Sequence, residues 1–335
     1  MKKFLLTSLK IALPFVFGLL MLWWIYRGVN WRDIEDTLLY CMNWWWMGLS
    51  LIFGILPQVM RGMRWRQTLL PMGECPRRRT CVDAIFLSYA SSLIVPRIGE
   101  VTRCGTLKTV DKVSFSKSLG TVVTERAVDS VIMLLFTAVA FLLQIPVFKT
   151  FISQTGTGLD GLLGRFTQTG YLVTMLCILA VALSAGFLIW KLAVFQRVKG
   201  VVINLTTGIT SLRNVEHKWV YVFRSIGIWI CYFLHFYLAF FCFADTAQLG
   251  FTAGIAAFCI GSFAVLVPTP NGAGPWHFAV KTVLVLYGVS GQAAIMFALV
   301  VHTLQTLLIV LLGVYGWIDL AILGRRKGVQ PVPQD

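Results

Sequence analysis

Apolar and polar positions alternate along this chain in long blocks, not with the short period of a half-buried strand or a surface helix. Mainly apolar runs recur at roughly 6–26, 43–60, 119–144, 170–190, 221–243 and 293–317. A helix needs ~20 such residues to cross the hydrocarbon of a bilayer, so these runs predict about six full spans. Two shorter apolar pieces, near 83–95 and 251–267, are left over. The first runs into Ser92-Leu93-Ile94-Val95-Pro96-Arg97-Ile98-Gly99-Glu100, and the second into Ala264-Val265-Leu266-Val267-Pro268-Thr269-Pro270-Asn271-Gly272, with Gly274 and Pro275 just beyond. Proline and glycine interrupt a helix, so both pieces read as broken helices. Interrupted apolar segments at corresponding places in two halves of a chain are a pattern of membrane transporters, where the break holds a polar site at membrane depth.

Lys and Arg set the orientation. Lys2, Lys3 and Lys10 flank the first span, Arg61, Arg64, Arg66, Arg77, Arg78 and Arg79 follow the second, and Arg325, Arg326 and Lys327 follow the last. The positive-inside rule therefore predicts both termini in the cytoplasm. The piece at 83–95 has Arg77-Arg78-Arg79 before it and Arg103, Lys108, Lys112 and Lys117 after it, so it is expected to enter and leave on the cytoplasmic side. A bare bend in lipid would leave backbone groups unsatisfied, so it must be buried in protein or line a wet cavity. By the same logic 251–289 is a hairpin entering from the outside. Span, hairpin, span over 43–144 then repeats in opposite orientation over 221–317, an inverted repeat supported in sequence by Leu93-Ile94-Val95-Pro96 against Val265-Leu266-Val267-Pro268. The fold expected is an all-α integral membrane protein of one polytopic domain, 1–335, with a cytoplasmic polar loop at about 191–218.

Composition agrees with that class. Hydrophobic residues make up 57% of the chain and charged residues 13%, against about 25% charged in soluble domains. The net charge of +15 lies in short clusters beside apolar runs, which fits anionic lipid headgroups and not nucleic acid. The eight cysteines are scattered and form no C-x-x-C pair, so no disulfide framework and no zinc site is expected. The N-terminal run is too long for a signal peptide and is read as a retained span. No nucleophile elbow, phosphate loop, dinucleotide fingerprint or H-E-x-x-H motif is present. An enzyme, a cofactor and a metal are therefore not expected.

The candidate chemistry lies in polar clusters at the breaks and span ends. Arg97, Glu100 and Arg103 fall within seven residues; they read either as a phosphate site, since guanidinium forks fit phosphate, or as a solvated cytoplasmic turn. Glu125 and Asp129 share one face of the third span, and with Arg126 they should look into the bundle toward the first hairpin. They could gate transport, or an Arg126–Asp129 pair could only fix packing. His277 and Lys281, beside Trp276, are spaced to bind an anionic group from outside, or Lys281 snorkels and His277 is solvated. Arg61, Arg64, Trp65 and Arg66 read as interfacial anchors, with Arg64 able to reach the site from below. His235 and His302 read as hydrogen-bonded packing residues or, alternatively, a proton relay, and Asp245 and Asp319 as interface markers.

Four motifs in order carry a family resemblance: Arg61-Gly62-Met63-Arg64-Trp65; Pro96-Arg97-Ile98-Gly99-Glu100 with Arg103; Ser118-Leu119-Gly120-Thr121-Val122-Val123-Thr124-Glu125-Arg126 with Asp129; and Pro268-Thr269-Pro270-Asn271-Gly272-Ala273-Gly274. Over roughly residues 10–320 the chain resembles the flippase-like membrane family that includes the transmembrane region of lysylphosphatidylglycerol synthases. The resemblance implies movement of a phosphate-bearing, glyco- or aminoacyl-lipid between leaflets of a bacterial inner membrane. The partners it implies are a membrane phospholipid or lipid-linked cargo, and a lipid-modifying enzyme. In the synthases an aminoacyl-transferase domain follows; this chain is expected to be the transport part alone. Where the family's late Gly-rich motif runs on to a glutamate, this chain has His277. On this reading Arg97 and Arg103 bind phosphate, Glu100 supplies a counter-charge or proton, Glu125, Arg126 and Asp129 gate, and Pro96, Gly99, Pro268, Pro270, Gly272 and Gly274 break the helices. The alternative is a non-transporting membrane subunit that presents lipid to a partner enzyme.

Overall fold

The computed structural model describes residues 16–155, 215–267 and 269–327, and the secondary structure of that part is helical throughout. The expected span at 170–190 and almost all of the polar loop at 191–218 lie outside the described residues, as do Cys177, Pro268 and the first ten residues of the 6–26 run. Helix α1 is Val16–Tyr26. A short helical segment, Trp31–Asp36 with a wider turn at Thr37–Cys41, leads to α2, Trp44–Leu69. The chain bends by 93° between the two, and Asn43 caps α2 by accepting from the Trp45 N–H at 3.1 Å.

Helices α3 (Arg78–Ile94) and α4 (Gly99–Asp111) pack side by side. At 17 residues, α3 is ~25 Å long and falls short of the ~30 Å hydrocarbon core. The two ends of the pair are pinned together: Arg77 donates to Asp111 through both its backbone N–H, at 2.9 Å, and its Nε, at 2.8 Å. The chain thus returns to the level at which α3 began. The turn between them needs glycine at position 99, because a Cβ there would lie 2.1 Å from the Ser88 carbonyl oxygen.

Helix α5 (Phe115–Thr155) and helix α6 (Lys218–Leu238) follow. A second close-packed pair comprises α7 (Phe251–Ala264) and α8 (Pro275–Leu286). The described part ends in α9, Gly291–Lys327. Among the described residues three stretches, Phe115–Leu143, Lys218–Cys242 and Gly291–Gly324, are long and apolar enough to cross a membrane, and α2 with its bent leader makes a fourth. The runs expected at 119–144, 221–243 and 293–317 are these three.

The run expected to end at residue 60 continues as helix to Leu69. Its last turns are not interfacial: Arg61, Arg64 and Trp65 are all buried in protein. The interfacial-anchor reading is corrected for these residues, because their guanidinium and indole groups find partners inside the bundle. Arg66 is half-buried and donates to the Pro76 carbonyl.

Two apolar cores result. One is aromatic and gathers Phe233, Phe236, Phe240, Phe258, Trp276 and Phe297 around the second helix pair. The other surrounds the first pair, with Trp65, Leu69, Cys81, Ile85, Cys104 and Leu107. Small residues let the backbones close up, as is usual where helices associate in lipid. A Cβ on Gly62 would sit 2.7 Å from Val82 Cα, and one on Gly313 would sit 2.2 Å from Ala90 Cβ, so α2 and α9 both press on α3. Away from these contacts the surface of α5 and α9 is apolar, with Val131, Leu134, Leu135, Leu311 and Val314 exposed. That is the surface a lipid-facing helix presents.

Candidate functional site

Five charged residues of α2, α4 and α5, namely Arg61, Arg64, Arg103, Glu125 and Asp129, form one buried cluster. Arg61 and Arg64, three apart on α2, share a helix face, as do Glu125 and Asp129 on α5. Arg61 Nη1 donates to Asp129 Oδ2 at 2.6 Å, and Arg64 Nη2 to Asp129 Oδ1 at 2.8 Å. Arg64 Nε lies 3.5 Å from Glu125 Oε1. Arg103 of α4 donates to Glu125 Oε2 at 2.8 Å and stacks on Trp65, its Cζ 4.6 Å from the ring centroid. Trp65 in turn donates to Thr121 Oγ1 at 3.0 Å. Burial of so many charges is tolerable only because each carboxylate is held between two guanidinium groups.

Both carboxylates face the interior, as their shared helix face predicts. Arg126, on the flank of α5, does not. Its Nε lies 3.2 Å from Glu100 Oε1, and its contact with Asp129 is longer, 3.8 Å. The side chains of Arg126 and Glu100 are 44% and 43% exposed.

The three residues expected to act together at the first break are therefore separated. Arg103 points into the buried cluster and Glu100 pairs with Arg126. Arg97 is exposed and donates to the Leu266 carbonyl oxygen at 3.2 Å, so it tethers the turn after α3 to the turn after α7. A seven-residue window cannot reveal this, since α4 starts within it and its first turn distributes the side chains around the axis.

The two turns match. Ile98 N–H donates to the Val95 carbonyl at 3.2 Å, with Pro96 second and Arg97 third at φ 66°. Gly272 N–H donates to the Thr269 carbonyl at 3.2 Å, with Pro270 second and Asn271 third at φ 50°. Each is a proline-led β-turn with a left-handed third residue. The structural counterpart of Pro96 is thus Pro270, two positions beyond the match suggested by sequence. Gly272 and Gly274 carry positive φ, and a Cβ on Gly274 would meet Met21 Cβ at 2.9 Å, so α1 closes on this second turn.

Between the charge cluster and the aromatic core lies a cavity of about 310 Å³. Its polar wall includes Gln58, Arg61, Tyr89, Arg126, Asn271 and Gln305, and its apolar wall includes Trp229, Phe236, Phe258 and Trp276. Tyr89 and Tyr232, also in the wall, share a hydrogen bond of 2.9 Å that joins α3 to α6. Arg61 Nε, Gln58 Oε1 and Trp229 Nε1 are buried without a hydrogen-bond partner. Each is costly to leave unpaired.

The remaining candidates lie elsewhere. His277 is buried against Tyr26, Trp276 and His302, the two imidazoles 4.3 Å apart, and its Nδ1 accepts from the Gly274 N–H at 3.3 Å. The solvated reading of His277 is corrected: α1 covers it. Lys281, one turn on, is half-buried. His302 Nε2 donates to the Asn271 carbonyl at 3.1 Å, and His235 Nδ1 to the Ser50 carbonyl at 2.7 Å, so both hold neighbouring backbone in place. Asp319 is paired with Arg79 across α9 and α3, whereas Asp245 is exposed. Among the described residues no group of three His, Cys, Asp or Glu side chains is placed to hold a metal. Sequence reasoning missed Arg61, Tyr89, Trp229 and Tyr232 as wall residues. Arg61 alone had a signal, its i,i+3 spacing to Arg64.

A helical bundle with apolar outward-facing spans, an interior charge cluster and a polar cavity defines an integral membrane protein. The family model of the lysylphosphatidylglycerol synthase transmembrane region matches residues 11–313. The chain belongs to that family, and with it comes a membrane role tied to lipid. No curated protein and no solved structure matches the chain.

Proposed function

We propose that this protein is a lipid flippase-like transporter that moves a phosphate-bearing lipid between leaflets. The observation that carries the reading is the cavity itself, which sets unpartnered donors of Arg61 and Trp229 and the half-exposed Arg126 beside two helix pairs whose turns touch. A phosphodiester suits guanidinium donors, and the aromatic wall suits the glycerol or sugar face of a headgroup. On this reading α3–α4 and α7–α8 are re-entrant hairpins related by an inverted repeat, entering from the cytoplasm and from outside. Their matching proline-led turns support that relation. Both termini are cytoplasmic, the membrane is a bacterial inner membrane, and the protein acts without catalysis.

Reconstitution into liposomes tests the proposal. Headgroup-labelled phospholipids are followed by loss of outer-leaflet signal to a membrane-impermeant quencher. Wild type is expected to accelerate the loss, and Arg126→Gln to slow it by about tenfold, the scale of one charge-assisted hydrogen bond. Folded wild-type protein that retains lipid through purification but moves none would overturn transport and leave the role of presenting lipid to a partner enzyme.

A further inference from the structure

The ion-paired cluster is not neutral. Arg61, Arg64, Arg103 and Arg126 face Glu100, Glu125 and Asp129, four guanidinium groups to three carboxylates. Two of those carboxylates, Glu125 and Asp129, are buried and locked between arginines. Glu100 is different, with a single partner at 3.2 Å and a side chain 43% exposed. Its partner Arg126 lies in the cavity wall beside Arg61, whose Nε has no hydrogen-bond partner although Arg61 is 2% exposed. Apolar residues flank the Glu100–Arg126 pair. Ile98 and Val101 beside Glu100, Val123 one turn before Arg126, and Val265 of the cavity wall are all exposed apolar residues. Such residues face acyl chains when the bundle sits in a bilayer.

We propose that the Glu100–Arg126 ion pair is a lateral gate that opens by anion exchange. The phosphodiester of a singly charged lipid, arriving from the membrane with its tails still in lipid, displaces Glu100 from Arg126. It then takes its place between Arg126 and Arg61. The exchange swaps one monoanion for another, so the cluster keeps its excess of one guanidinium, and Glu100 gives up a pair that was only half-buried. The tightly bound carboxylates of Glu125 and Asp129 stay with the arginines they orient. Glu100 is thus a competitor for the ligand, not a contact to it. The inference rests on the lipid-handling reading above, but it is tested by binding and not by transport.

The test uses full-length protein in phosphatidylcholine nanodiscs and the immobilised fraction of spin-labelled phosphatidylglycerol, with spin-labelled phosphatidylcholine as reference. Removing a half-exposed competitor is expected to tighten phosphatidylglycerol association, so Glu100→Gln and Glu100→Ala should each bind about twofold to fivefold better than wild type. Arg126→Gln should lose the preference over phosphatidylcholine, and Glu100→Gln/Arg126→Gln should match Arg126→Gln alone. Unchanged or weaker binding in both Glu100 variants overturns the gate, as does a Glu100 effect that persists without Arg126. Soluble glycerophosphoglycerol is the control for the source of the anion. If it competes as well as the intact lipid, the site takes free phosphodiesters and the membrane-side gate is wrong. Binding that behaves as expected in protein that moves no lipid would retain the gate and remove transport; transport with no Glu100 effect would do the reverse.

Discussion

Arg64 and Asp129 show how a membrane interior accommodates charge. Arg64 is fully buried on α2, touches both carboxylates of α5 and lies 3.2 Å from Ser225 Oγ. Asp129 serves two arginines at once. Removing one member of such a set leaves uncompensated charge in a medium that cannot solvate it. Asp129→Asn should therefore destabilise the fold by about 3–5 kcal/mol, seen as a large fall in thermal unfolding temperature in mild detergent. Glu100→Gln breaks a half-exposed pair and should cost at most about 1 kcal/mol in the same measurement. Equal losses in the two variants would mean that the buried cluster is not what holds α2 to α5.

At the scale of elements, the two helix pairs depend on how closely their limbs approach. The 2.1 Å contact that a Cβ at position 99 would make with the Ser88 carbonyl is with backbone, which cannot swing aside. Gly99→Ala is expected to push α4 off α3, pull Arg103 from Glu125 and abolish lipid translocation along with a folded melting transition. A Cβ on Gly105 of the same helix would meet nothing within 4 Å. Gly105→Ala should therefore be neutral or slightly stabilising, since alanine favours helix by about 1 kcal/mol over glycine. Gel-filtration profiles and melting curves of the two proteins separate these outcomes. An intact Gly99→Ala protein would show that the turn can relax.

For the whole molecule, the orientation predicted from charge places the Thr37–Cys41 turn outside and the segment between α2 and α3 inside. Two native thiols report on this, because Cys41 and Cys75 are both exposed. A membrane-impermeant maleimide applied to intact spheroplasts should label Cys41, and the label should vanish in Cys41→Ser. Cys75 should react only after permeabilisation. Labelling in the opposite order would invert the topology and, with it, the side from which each hairpin enters. Cys81, Cys104, Cys242 and Cys259 are buried, where a thiol acts as a small hydrophobe, so they should contribute little signal.

Much of this protein is legible in its residue order, because lipid imposes its rules on sequence directly. Block hydropathy marked the helices at 119–144, 221–243 and 293–317, and proline and glycine at Pro96, Gly99, Pro270 and Gly272 marked the breaks. The i,i+4 spacing of Glu125 and Asp129 sent both carboxylates inward. These are local properties, readable from a residue and its neighbours on one helix. Which guanidinium meets which carboxylate is not local. Arg97, Glu100 and Arg103 are close in sequence, yet their partners are Leu266, Arg126 and Glu125 on two other elements. Arg61 and Arg64 look like anchors at the end of a span until α4 and α5 pack over them. The sequence by itself determined the class of protein, three of its long helices and the places where two shorter ones break. Only the tertiary structure decided that the charges form one cluster, and that a cavity opens beside it, because that depends on contacts between helices far apart in the chain.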